Sequence, residues 1–162
     1  MRVSDRGICR GFTFVELVLV MTIAGVLAAV AVPRMVDRSA FQTHGSAAEI
    51  RTALRYAQKL ALAKSREVCV NTTATPDLRL TFNPTVTIGA PCAAQVIRPD
   101  GSSPNYTVTP PAGIALAPVI AFRFNAQGQP TNNAGVILNA VTMLTVGGSA
   151  QVLIEPETGY VH

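Results

Sequence analysis

One carboxylate stands where an acid is hardest to explain. Glu16 lies in "GFTFVELVLVMTIAGVLAAVAV", a run that is otherwise apolar. From Leu17 to Val32 there are 16 residues with no charge, and Thr22 is the only polar side chain among them. Counted from Phe12 the run has 21 residues, and about 20 residues rising 1.5 Å each span a bilayer. A charge at mid-bilayer costs at least about 2.5–3.5 kcal/mol, and less near the interface. An unpaired acid is therefore a poor choice for a simple anchor. It makes sense if a cation meets it on assembly. The simplest cation is the free amine created by cutting the chain after Gly11, on the same chain or on a neighbour.

Three cysteines are present: Cys9, Cys69 and Cys92. Cys69 and Cys92 enclose 22 residues, both outside the apolar run. If that part is exported, an oxidising compartment lets them pair, and a loop of this size would stabilise the fold by roughly 3 kcal/mol. The alternative is two unrelated buried thiols. No catalytic constellation is found. The histidines are His44 and His162, and there is no G-x-S-x-G elbow, H-E-x-x-H pair or phosphate-binding glycine loop. Two cysteines without neighbouring histidines do not make a zinc site. Asp77, Asp100, Glu155 and Glu157 could contribute to a calcium site, but no D-x-D-x-D-G spacing supports one, and Asp100-Gly101 reads more simply as a turn. The sequons at Asn71 and Asn105 read as chance matches. The expectation is a structural subunit: not an enzyme, with no cofactor and no metal site.

These residues need elements to position them. The leader, residues 1–11, carries Arg2, Arg6 and Arg10 against Asp5, a net charge of +2. A basic segment before an apolar run suggests a secretory signal, but here the polar segment ends at Gly11, before the run rather than after it. Pro33 closes the run and should kink or loosen a helix there. Beyond it, Ile50, Ala53, Leu54, Ala57, Leu60 and Ala61 recur at three and four, marking one apolar face. Arg51, Arg55 and Lys59, with Arg66 close to the same line, make a basic stripe on roughly the opposite side. Such a stripe invites a nucleic-acid reading. It is more simply a solvated face, or one that meets acidic groups of neighbouring subunits. The spacing predicts one long helix from about Phe12 to about Ser65, bent near Pro33 with a second weak point at Gly45.

From Val68 the pattern changes to short β-type runs between turns. The candidate strands are "EVCVN", "LRLTF", "QVIR", "YTVT", "IAFRFN", "GVILN", "TMLTV", "AQVLIE" and "YVH". "NAQGQP", "VGGSA" and "PETG" read as turns. The proline-rich "NPTVTIGAPC" and "TPPAGIALAP" read as loops or edge segments. The predicted class is α+β: a long N-terminal helix, half membrane-spanning and half amphipathic, packed on a C-terminal antiparallel sheet or small β-sandwich. Overall net charge is +4, yet from Cys69 onward Arg79, Arg98 and Arg123 meet Asp77, Asp100, Glu155 and Glu157, leaving −1.

The segment "RGFTFVELVLVMTIAGVLAAVAVPRM" resembles the class III signal of type IV pilins and type II secretion pseudopilins. The matching parts are the basic leader ending in Gly11, Phe12 as the new N-terminus, Glu16 four residues later, and a helix interrupted at Pro33. More weakly, "IAFRFNAQGQPT" and the closing "VLIEPETGYVH" are similar to the GspH/FimT-type domain of minor pilins. The ending looks most like minor prepilins of the mannose-sensitive haemagglutinin type. The resemblance implies cleavage between Gly11 and Phe12 by a prepilin peptidase, N-methylation of Phe12, and pairing of Glu16 with a neighbouring N-terminal amine in a filament. It divides the chain into a leader (1–11), a transmembrane or filament-core helix (12–33), an amphipathic helix (34–66) and a periplasmic β domain (67–162). The implied location is the bacterial inner membrane, single-pass, and then a filament. The implied partners are other pilin or pseudopilin subunits and an inner-membrane assembly platform. The leading reading is a minor pilin or pseudopilin, and the alternatives are a major pilin or a DNA-receptor minor pilin. DNA-binding members of the FimT type carry arginines in the last strand after the glycine. Here Gly159 is followed by Tyr160, Val161 and His162, so nucleic acid is not the expected partner.

Overall fold

A computed structural model of the chain describes residues 13–35, 38–73, 77–101 and 105–162. The chain divides into two compact units, 1–39 and 40–162. The first unit contributes helix α1 (Phe14–Met35), and helix α2 (Arg38–Lys64) runs almost wholly within the second. Of the single long helix expected from the sequence, the structure describes Phe14–Met35 and Arg38–Lys64 as helical, and residues 36 and 37 between them lie outside the described residues. Pro33 falls inside α1, and Gly45 lies within α2 without ending it. The leader, residues 1–11, and Phe12 after it also lie outside the described residues.

Among the described residues the second unit holds nine strands: β1 (Val68–Thr72), β2 (Leu78–Phe82), β3 (Ala94–Gln95), β4 (Thr107–Val108), β5 (Leu116–Ala117), β6 (Ala121–Phe124), β7 (Pro130–Thr131), β8 (Thr142–Val146) and β9 (Ala150–Ile154). They form two antiparallel sheets. In the larger, β1 is central between β2 and β6, β7 continues beyond β6, and β3 and β4 both pair with β2. The smaller has the order β5-β8-β9. The class is α+β.

The register explains the core. Val68 pairs with Phe82 on one side and Phe124 on the other, and Val70 pairs with Leu80 and Phe122. Alternation along a strand sends these side chains to one face. The fully buried Ile50, Ala53, Leu54, Ala57 and Ala61 of α2 join that face, together with Leu144, Val146, Val152 and Ile154 of the smaller sheet. The apolar face read from the sequence is the buried one, with Leu60 only partly buried at its margin. Alanine at positions 53, 57 and 61 leaves room for backbone to approach closely along one line of the helix. The helix stops at Ser65, whose φ of 48° is left-handed, and the Arg66 N–H closes the end on the Ala61 carbonyl at 3.2 Å.

Three strand expectations change. "GVILN" makes only an isolated bridge between Ile137 and Thr131, because Asn132 turns the chain: its Oδ1 accepts from the N–H groups of Ala134 and Val136, and Gly135 takes a φ of 81°. "QVIR" contributes β3 at its first residue alone, since Gln95 is the last strand residue and a turn closes at Gly101. "YVH" contributes one bridge, Val161 to Ile154. The proline-rich "TPPAGIALAP" supplies β5, an edge strand of the smaller sheet.

Candidate functional site

Glu16 sits in the first turn of α1. Thr13 caps this turn: its Oγ1 accepts from the Glu16 N–H at 3.3 Å, and its carbonyl accepts from Glu16 and Leu17, both at 3.1 Å. Thr13-x-x-Glu16 has the spacing of a capping box, and an acid there also faces the positive end of the helix dipole. Sequence reasoning missed this local role, although "TFVE" carries the signal. The bonds are made by the Glu16 backbone N–H, and its carboxylate is exposed in that turn.

Around it, every described side chain from Phe14 to Ala29 is exposed, among them Phe14, Met21, Val26 and Leu27. A helix apolar on all sides belongs inside a bilayer or a larger assembly. Among the described residues no helix is long and apolar enough to cross a membrane. The expected span, 12–33, begins at Phe12 and ends among side chains that lie outside the description, Pro33 included.

The basic stripe of α2 is largely committed within the chain. Arg51 Nη2 donates to the Gln151 carbonyl at 3.3 Å, and Arg55 Nε donates to the Val161 carbonyl at 3.0 Å. Arg66 Nη1 donates to the Pro84 carbonyl. The stripe thus ties the helix to β9, to the C-terminal tail and to the loop after β2. Lys59 remains exposed, and Lys64 lies 5.0 Å over the Phe82 ring. Arg98 reaches Glu49 at 2.8 Å and lies over the Tyr106 ring, which stacks on Tyr56. Burial pushes the Tyr106 phenol up from its ordinary 10.0, against the opposing pull of Arg98.

Cys69 and Cys92 form a disulfide. Beside it is a buried polar group that sequence reasoning missed. Arg123 Nη1 meets Glu67 Oε2 at 3.1 Å, with both side chains more than nine-tenths buried. The same oxygen accepts from Asn83 Nδ2 and from the Gly89 N–H, each at 3.0 Å. Arg123 Nη1 also donates to the Ala90 carbonyl at 2.7 Å. The acids considered for calcium are not brought together, and among the described residues no group of three metal-ligating side chains forms. His44 is exposed on α2, and His162 Nε2 lies 3.0 Å from Glu155 Oε1.

Comparison with known proteins points to the N-terminal segment. The family model described as the prokaryotic N-terminal methylation motif matches residues 6–32. The matched residues include Gly11, Phe12 and Glu16. No curated protein and no solved structure matches the chain.

Proposed function

We propose that this chain is a minor pilin or pseudopilin, a structural subunit of a type IV pilus or of a type II secretion pseudopilus. The observation that carries the reading is the N-terminal methylation motif at residues 6–32. Two features support it. α1 exposes apolar side chains along its described length, as a helix destined for a bilayer and then a helix bundle would. The 40–162 unit has its own core and a disulfide, as an exported head domain would.

In this reading a prepilin peptidase cuts between Gly11 and Phe12, and Phe12 is N-methylated. The subunit waits in the inner membrane with its β domain in the periplasm. An assembly platform then moves it into a filament with other subunits. Glu16 pairs there with a neighbour's N-terminal ammonium and sets the axial offset between subunits. Intact-mass measurement of membrane-extracted protein tests the processing step. The expected mass lacks residues 1–11 and carries one added methyl. Retention of Met1 in cells with an active peptidase would contradict it.

A further inference from the structure

The residues between β2 and β3 carry no strand of their own, yet they are held against the larger sheet. The face they cover is the one turned away from α2. Val68 and Val70 point into the core, so Cys69 between them points to the opposite face. Arg123 pairs directly with Cys69 across β1 and β6, and Phe122 and Phe124 on either side of it are core residues. Glu67 lies two residues before Cys69, and Asn83 continues the β1–β2 ladder opposite it, donating its N–H to the Glu67 carbonyl at 2.8 Å. Glu67, Cys69, Asn83 and Arg123 therefore share one sheet face.

These side chains grip the segment from Asn83 to Cys92 at successive points. Asn83 Oδ1 accepts from the Thr85 N–H and Oγ1, both at 2.8 Å, and its Nδ2 donates to the Thr87 carbonyl at 2.7 Å. Glu67 holds the Gly89 N–H and Arg123 holds the Ala90 carbonyl. Ala90 is two residues before Cys92. None of these bonds involves sulfur. We propose that Glu67, Asn83 and Arg123 form a polar clamp that seats the 83–92 segment on the folded sheet in the reduced chain and so presents Cys92 to Cys69. The disulfide then locks a geometry that the clamp has already set.

The closing step is thiol–disulfide exchange with a small-molecule disulfide. One protein thiolate attacks a sulfur of oxidised glutathione and expels one glutathione thiolate. The second protein thiolate attacks the resulting mixed disulfide and expels the other. Two protein thiols are oxidised to one disulfide, one glutathione disulfide is reduced to two thiols, and the protons follow the sulfurs through solvent. What the clamp supplies is proximity, which is read as the effective concentration of the two thiols. The inference does not rest on the pilin reading.

The test uses the full chain in detergent micelles with Cys9→Ser, equilibrated in glutathione redox buffers. The effective concentration of Cys69 and Cys92 is read from the fraction of alkylated thiols. Hydrogen exchange in the β8–β9 hairpin reports the fold independently. Asn83→Ala and Arg123→Gln should each lower the effective concentration about tenfold or more, as expected for bonds to charged groups, while hairpin protection persists. Val86→Ala, in the same segment but highly exposed, should leave it unchanged. An effective concentration within about twofold of the parent in both variants, on the scale where tenfold marks one such bond, would overturn the clamp. So would loss of hairpin protection, which would make these residues determinants of the whole unit rather than of the segment.

Discussion

Gly159 illustrates what a single position can and cannot reveal. "PETG" reads as a turn closed by a glycine, and Gly159 has a φ of 66°. The sequence does not disclose that a Cβ there would lie 2.0 Å from the Gly128 carbonyl oxygen, 31 residues away, and 2.9 Å from Gln58 Nε2. Gln58 bonds both turns, donating to the Thr158 carbonyl at 2.8 Å and to the Gly128 carbonyl at 3.3 Å. Gly159→Ala should therefore be destabilised by strain and by collision together, on the order of 2–3 kcal/mol. The check is the denaturation midpoint of the full chain with its disulfide intact. Glu67 and Arg123 were illegible for a related reason. A charge in an alternating strand pattern reads as solvent-facing, and only the returning 83–92 segment buries it.

At the scale of elements, long periodic patterns were readable, whereas of the two-residue strands only β4 lies wholly within an expected strand, "YTVT". The α2 face, β1, β2, β6, β8 and β9 follow local alternation or three-and-four spacing. β3, β4, β5 and β7 have two residues each, and such strands exist only where a partner strand passes. Leu54 is fully buried in the core cluster that also holds residues of both sheets. Leu54→Ala should cost about 2–5 kcal/mol, read from the same denaturation midpoint. The basic stripe of α2 was legible as a pattern but not in its use. With Arg51, Arg55 and Arg66 bonded to backbone carbonyls and the region from Cys69 onward at −1, the full chain in detergent should bind duplex DNA no more tightly than about 10⁻⁶ M at physiological salt, the range of non-specific binding. Salt-dependent titration with labelled duplex is the measurement, and tighter binding would favour a DNA-receptor role.

The whole molecule joins a self-contained α+β unit to an apolar helix whose described side chains are exposed. That division was readable because the apolar run and the strand patterns have different periods and lie far apart in the sequence. The relation of Glu16 to a neighbour is not readable from one chain, since pairing is a property of the assembly. In the lone subunit the exposed Glu16 carboxylate lies in the first turn, at the positive end of the helix dipole. Inside an apolar bundle an unpaired carboxylate is costly, whereas one paired with an ammonium fixes register. Glu16→Ala removes both the cost and the registry, so folding and membrane level should change little. Expressed beside the parent chain, Glu16→Ala should reach the membrane fraction and lose its leader at parental levels. It should then fall at least about tenfold in sheared filaments, the loss expected for one charge-assisted contact. Incorporation of Glu16→Ala at the parental level would contradict the pairing of Glu16 with a neighbouring subunit.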